Sequence, residues 1–211
     1  MKFGIYLRNT LITSILPVIG QLFAAPMVAY SISRVPWKGG KYIFPLILFT
    51  MMVPGQVTQI PLFSTWSRLG LTNTFWPLIL PSFFGSAYYV FLLRQFMLTI
   101  PASLLEAARI DGAREVRVLY QIFIPLCKPV LITVALMTFM GHWNDLMTPL
   151  IYLYDGSKYT LAIALQRFLS EAKQEWELLM AAATIFTTPI IVIFFIGQKY
   201  FIEGIATTGL K

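Results

Sequence analysis

Between Thr10 and Ser33 the chain carries no charged residue, and the same is true of Tyr42–Ser67, Thr74–Leu93 and Leu178–Gln198. Each run matches the roughly 20 apolar residues that an α-helix needs to cross a bilayer. A further apolar run, Leu126–Leu146, is interrupted near its start by Lys128. Pro17, Gly20 and Pro26 in the first run, and Pro45, Pro54 and Pro61 in the second, would break soluble helices. Membrane helices tolerate such residues where neighbours re-satisfy the freed backbone groups. Hydrophobic residues make up 57% of the chain and charged residues 12%, against roughly 25% charged in soluble domains. The sequence therefore predicts an all-α, polytopic membrane protein with a single domain over 1–211. Five spans are expected at about 10–33, 42–67, 74–98, 126–146 and 178–198, with a charged elbow at 101–125 and an outer loop at 147–177.

The formal net charge of +7 does not point to nucleic acid, because the basic residues are spread between the apolar runs. Their distribution sets orientation instead. Ten of the 16 Lys and Arg residues fall on the side of the 101–125 elbow and the C-terminus. That side is predicted to be cytoplasmic, with the N-terminus outside. Met1–Ser33 has no small-residue cleavage site after a short apolar core, so no cleavable signal peptide is expected. Cys127 is the single cysteine and His142 the single histidine, which excludes an internal disulfide framework and a His cluster. Gly39-Gly40-Lys41-Tyr42 lacks the spacing and hydroxyl of a P-loop. Carboxylates are not paired within any span, which argues against a carrier driven by buried acids. No catalytic residue, metal site or cofactor is predicted in this chain, so the energy for any transport must come from a partner.

The elbow, PASLLEAARIDGAREVRVLYQIFIP from Pro101 to Pro125, is more than a connector needs. Ser103-x-x-Glu106 has the spacing of a capping box and predicts a helix over Leu104–Asp111. Gly112 is placed to end that helix in the left-handed conformation, and Glu115–Ile124 is expected to form a second helix. Glu106-Ala107-Ala108, Gly112, Ile122 and Pro125 resemble the EAA loop of ABC-importer permeases, departing from it only in Ile124 where Leu is usual. Val53-Pro54-Gly55-Gln56, Leu92-Leu93-Arg94-Gln95-Phe96, Trp143-Asn144-Asp145 and Gln198-Lys199-Tyr200-Phe201 extend the resemblance to the carbohydrate, maltose-type branch.

The resemblance implies the subunit's partners. They are a homologous second permease, a cytoplasmic ATPase dimer that holds ATP and Mg, an extracytoplasmic sugar-binding protein, a sugar substrate and membrane lipid. It also implies a bacterial or archaeal plasma (inner) membrane location. Glu106, Ala107, Ala108, Asp111, Gly112, Ile122 and Pro125 would dock the ATPase. That family usually has one more span ahead of the first run, and that span is expected to be missing here. A permease for a non-sugar solute such as an amino acid or phosphate, or a non-transporting membrane scaffold, are the alternative readings.

Gln56 and Gln59 lie one helical turn apart in the middle of an uncharged run. They either line a solute path or bond neighbouring helices. Trp143 and Asn144 suit a sugar, with a ring for its C–H face and an amide for its hydroxyls. An interfacial aromatic belt would place them equally well. His142 is assigned to helix packing. Leu165, Phe168, Leu169, Ala172, Trp176 and Leu179 fall at helical spacing in the outer loop. They predict an amphipathic helix on the outer surface, covering either a binding protein or the chain's own spans.

Overall fold

A computed structural model describes residues 3–171 and 176–206. α1 runs uninterrupted over Phe3–Arg34, with Pro17 and Pro26 inside it. Its packed face is small: Gly20, Ala24, Ala25 and Ala29 are buried. At Gly20 an added Cβ would sit 2.4 Å from the Phe83 ring, so only a residue without a side chain permits that approach.

The second apolar run is not one helix. α2 (Gly40–Met51) and α3 (Gly55–Arg68) meet at a bend of 98°. Pro54 is the cause: its N–H is missing, and it biases Val53 away from helical geometry. The run expected over 74–98 is also uneven. α4 (Trp76–Ile79) tightens into a 3₁₀ turn at Leu80–Phe84, and α5 (Ala87–Thr99) follows.

The elbow begins with α6 (Ala102–Ile110). α7 (Glu115–Val118) passes through a π turn at Leu119–Phe123 into α8 (Ile124–Leu126). The second elbow helix was expected to end at Ile124, and it continues to Leu126. The widened turn just ahead of Pro125 accommodates a residue that cannot bond back to Gln121 and whose ring crowds that carbonyl. α9 (Lys128–Trp143) then departs at 80° to the preceding helix. α10 (Met147–Tyr152), a 3₁₀ turn at Gly156–Lys158 and α11 (Leu161–Glu171) make up the described part of the outer loop, and α12 (Trp176–Ala206) closes the chain.

Among the described residues there is no strand. Three helical stretches are long and apolar enough to cross a membrane, or five if each bent pair counts as one crossing. The chain is an all-α polytopic membrane protein.

Two cores hold it together. The larger joins α1, α5, α6, α7 and α9 through Ala29, Leu93, Met97, Leu105, Val118 and Val130. The smaller gathers Leu78, Tyr152, Leu153, Tyr159 and Ile163 under the outer loop. There α1 is pinned by polar bonds. The Asn9 amide donates to the Ser157 and Tyr159 carbonyls, and the Thr10 hydroxyl accepts from the Leu161 N–H. The amphipathic face differs from expectation. α11 buries Leu161, Ala162, Ile163 and Ala164; of the described residues of the expected stripe, Leu179 is buried, Leu165 and Phe168 are half-buried, and Leu169 and Trp176 are exposed. The first turn of α11 is the part held against α1, so burial is deepest there. Ala172 lies outside the described residues.

Candidate functional site

Two features stand out, one at each end of the bundle. The first is a cavity of about 400 Å³ between α1, α3, α4, α9 and α10. The break before Gly55 turns the first turn of α3 toward it, and both Gln56 and Gln59 line it. Neither amide is bonded to a neighbouring helix of this chain among the described residues. Their exposure follows from the bend, which leaves Gln56 open and Gln59 half-buried.

Trp66, Tyr152, Thr13, His142 and Asp145 add to the polar and aromatic lining, with Thr58, Ser82 and Thr148. His142 Nδ1 lies 2.9 Å from the Thr138 carbonyl. A carbonyl only accepts, so Nδ1 is the donor in this bond. Asp145 Oδ1 accepts from the Thr148 N–H at 3.0 Å, fixing the start of α10.

Trp143 is not at the cavity. It is 1% exposed, its indole N–H donates to the Phe186 carbonyl at 3.1 Å, and its ring packs against Phe139 and Phe186. A buried indole with its one donor satisfied is an anchor between α9 and α12. Asn144 is exposed, donates to the Met140 carbonyl at 2.9 Å and caps α9. Neither residue lines the cavity. Their neighbours His142 and Asp145 do, and sequence reasoning missed both. One residue of helical phase, about 100°, separates His142 from Trp143, and the sequence alone does not set that phase.

The second feature is the elbow. α6 starts from Pro101, and no side chain caps it, so the expected capping box is absent. Pro101 has the fixed φ that opens a helix, which begins one residue ahead of Ser103 and places the serine inside the first turn. The far end matches expectation closely. Gly112 has φ +76° and its N–H bonds the Arg109 carbonyl, while the Ala113 N–H bonds the Ala108 carbonyl, each at 3.0 Å. These are the paired bonds of a Schellman ending. Leu105 and Ala108 face the core, while Leu104, Glu106, Ala107 and Asp111 are exposed and Ile110 is 86% exposed. Leu104, Ala107 and Ile110 thus form an apolar ridge, three residues apart, on the outer side of a short helix. Ile122 is half-buried within the π turn and Pro125 is exposed at the start of α8.

The family model described as binding-protein-dependent transport system inner membrane component matches residues 7–207. This chain belongs to that family. The permease is 34% identical to the arabinooligosaccharides transport system permease protein AraQ of Bacillus subtilis (strain 168), over 96% of this chain and 72% of that protein. It is 32% identical to the sn-glycerol-3-phosphate transport system permease protein UgpE of Yersinia pestis, over 96% of this chain and 73% of the other. Its fold matches a chain of a bacterial ABC transporter involved in the import of the acidic polysaccharide alginate. That match has a TM-score of 0.84 and 27% identity, covering 94% of this chain and 75% of that one.

Proposed function

We propose that this permease forms half of the translocation path of an ATP-driven importer for a neutral oligosaccharide. The lining of the cavity carries the substrate reading. Two unbonded glutamine amides, an imidazole ring and two aromatic rings suit hydroxyls and C–H faces. Among the described lining residues there is no Lys or Arg, and Asp145 adds a carboxylate. A phosphate or uronate group entering there would meet no counter-charge, so the relation to AraQ weighs more than that to UgpE. The exposed apolar surfaces of α2, α3 and α12 are then the faces for lipid and for the second permease. The ridge of α6 enters a groove on the cytoplasmic ATPase, which binds ATP and Mg, and Gly112 sets its angle. An external binding protein delivers the solute to the side of the outer loop.

The test is uptake of labelled arabinotriose against glycerol 3-phosphate by cells with and without the gene. Loss of arabinotriose uptake alone on deletion is expected, and loss of glycerol 3-phosphate uptake alone would reverse the substrate reading. Gln59→Leu is expected to lower arabinotriose uptake several-fold with the complex still assembled, whereas Asn144→Leu leaves uptake near wild type. Equal losses in both variants would separate the cavity from the path.

Orientation is tested separately, by cysteines at Gln166 and Arg114. Both positions are exposed. With the elbow cytoplasmic, an impermeant thiol reagent added to intact cells labels the first and not the second. The opposite pattern would invert the topology.

A further inference from the structure

The Glu115 side chain, half-buried at the start of α7, is held from two directions. Its Oε1 takes Arg109 of α6, with Nε at 3.0 Å and Nη2 at 2.8 Å. Its Oε2 accepts from the Tyr30 hydroxyl of α1 at 2.6 Å. Arg109 Nη2 also reaches the Arg34 carbonyl at the end of α1, at 3.3 Å. Arg34 in turn donates to the carbonyls of Met97 and Ile100 at the C-terminal end of α5. Its guanidinium lies 5.6 Å from the centroid of the Phe123 ring, and the Tyr30 ring meets Phe123 edge-on. One carboxylate therefore joins the elbow helix to α1 directly, and to α5 through Arg34.

We propose that Glu115 is the junction that passes displacement of α6 into the spans α1 and α5, with Arg109 and Tyr30 as its two arms. This rests on the coupling reading of α6 given above. Apolar contacts between packed helices allow small sliding movements. A charge-assisted bond fixes both distance and direction, so it transmits a displacement that a greasy contact would absorb. The Gly112 turn sets the angle of α6 at its C-terminal end, and apolar contacts of Leu105 and Ala108 hold its inner face. The Glu115 arms tie Arg109 of α6 to Tyr30 of α1, the same helix that presents Thr13 to the cavity. Seventeen residues of one helix, about 25 Å at 1.5 Å per residue, carry the movement from Tyr30 to Thr13. Glu115 is not among the residues that line the cavity. It is a positioning residue.

The experiment uses the assembled transporter in nanodiscs, with Cys127 replaced by Ala and Gln59 by Cys as a reporter. In this parent, trapping the ATPase with ATP and vanadate is expected to change the thiol reaction rate at position 59 several-fold. Tyr30→Phe and Glu115→Gln are expected to co-purify the ATPase in normal amount and to lose most of that nucleotide response. The double variant should be no worse than Glu115→Gln alone, because Tyr30 acts through the carboxylate. Tyr30→Phe removes a single hydroxyl, so it keeps the test open if Glu115→Gln fails to assemble. A full response in Tyr30→Phe, or additive losses in the double variant, would overturn the junction while leaving the coupling reading in place. No response in the parent would bring down the coupling reading itself and the junction with it.

Discussion

Gly112→Val is expected to abolish solute uptake, while Gly112→Asn retains most of it. The contrast isolates backbone conformation from packing. Gly112 stands at φ +76°, and a Cβ built there would meet no heavy atom within 4 Å, so neither side chain clashes. What separates them is the cost of left-handed geometry. It is on the order of 1–2 kcal/mol for ordinary L-residues and harshest for β-branched ones, and Asn is the residue that most often accepts it. Valine relieves that cost by rotating φ negative. Doing so breaks the bonds from the Gly112 and Ala113 N–H groups to the Arg109 and Ala108 carbonyls. α6 then swings, carrying the Leu104–Ala107–Ile110 ridge off its docking axis and withdrawing Leu105 and Ala108 from the core. Binding of sugar to the external protein should be unaffected in Gly112→Val. ATP hydrolysis in the reconstituted complex should no longer rise with loaded binding protein. Normal stimulation in that variant would show that the elbow angle does not matter, and a failure of Gly112→Asn equal to that of Val would point to crowding by a partner.

Gly112 was legible because a glycine four residues after Ala108, at the end of a helical pattern, has few other uses. The apolar runs were legible for a similar reason, since their length and lack of charge leave almost no soluble alternative. Pro54 is a residue at which a helix can break, but the bend of 98° found there depends on what α3 packs against, and no local signal carries that. Ser103 and Glu106 matched a capping pattern, yet Pro101 starts the helix first, so a stronger backbone constraint displaced a weaker side-chain one. The spacing of Gln56 and Gln59 puts them on one face of a helix, and both line the cavity. Trp143 failed for the opposite reason: a large ring suits a sugar and a helix interface equally, and only tertiary packing against Phe186 separates the two. Tyr30 and Glu115 lie 85 residues apart in sequence, and nothing local links them.

Asn73, in the turn between α3 and α4, carries the second large expected effect. It is the one non-glycine residue with positive φ among those described, at 56°. Its Oδ1 accepts from the N–H groups of Tyr154 and Asp155 at 3.2 and 3.1 Å. Its own N–H donates to the Tyr152 carbonyl at 2.8 Å, and its carbonyl accepts from the Lys158 ammonium at 2.7 Å. The segment it holds is itself fixed by Asp155, whose carboxyl lies below the ordinary range because the Ser157 N–H and hydroxyl bond it. Asn73 thus fastens the stretch that supplies Tyr152 to the cavity wall. Asn73→Ala loses two side-chain bonds, at about 0.5–1 kcal/mol each because water reaches them, and adds the left-handed penalty of roughly 1–2 kcal/mol. Asn73→Gly loses only the bonds. Asn73→Asp keeps an acceptor and the tolerated φ, with the Lys158 ammonium close by to offset its charge. Trypsin cleavage at Lys158 in nanodiscs should therefore accelerate in the order Asp, Gly, Ala, slowest to fastest. Solute uptake should fall in the same order, most steeply for Ala, as Tyr152 leaves the wall. If Ala were cleaved no faster than wild type, the turn would be held by the Asn9 and Thr10 bonds from α1 alone. If Gly were as fast as Ala, the left-handed penalty would contribute nothing and the two acceptor bonds would account for the whole effect.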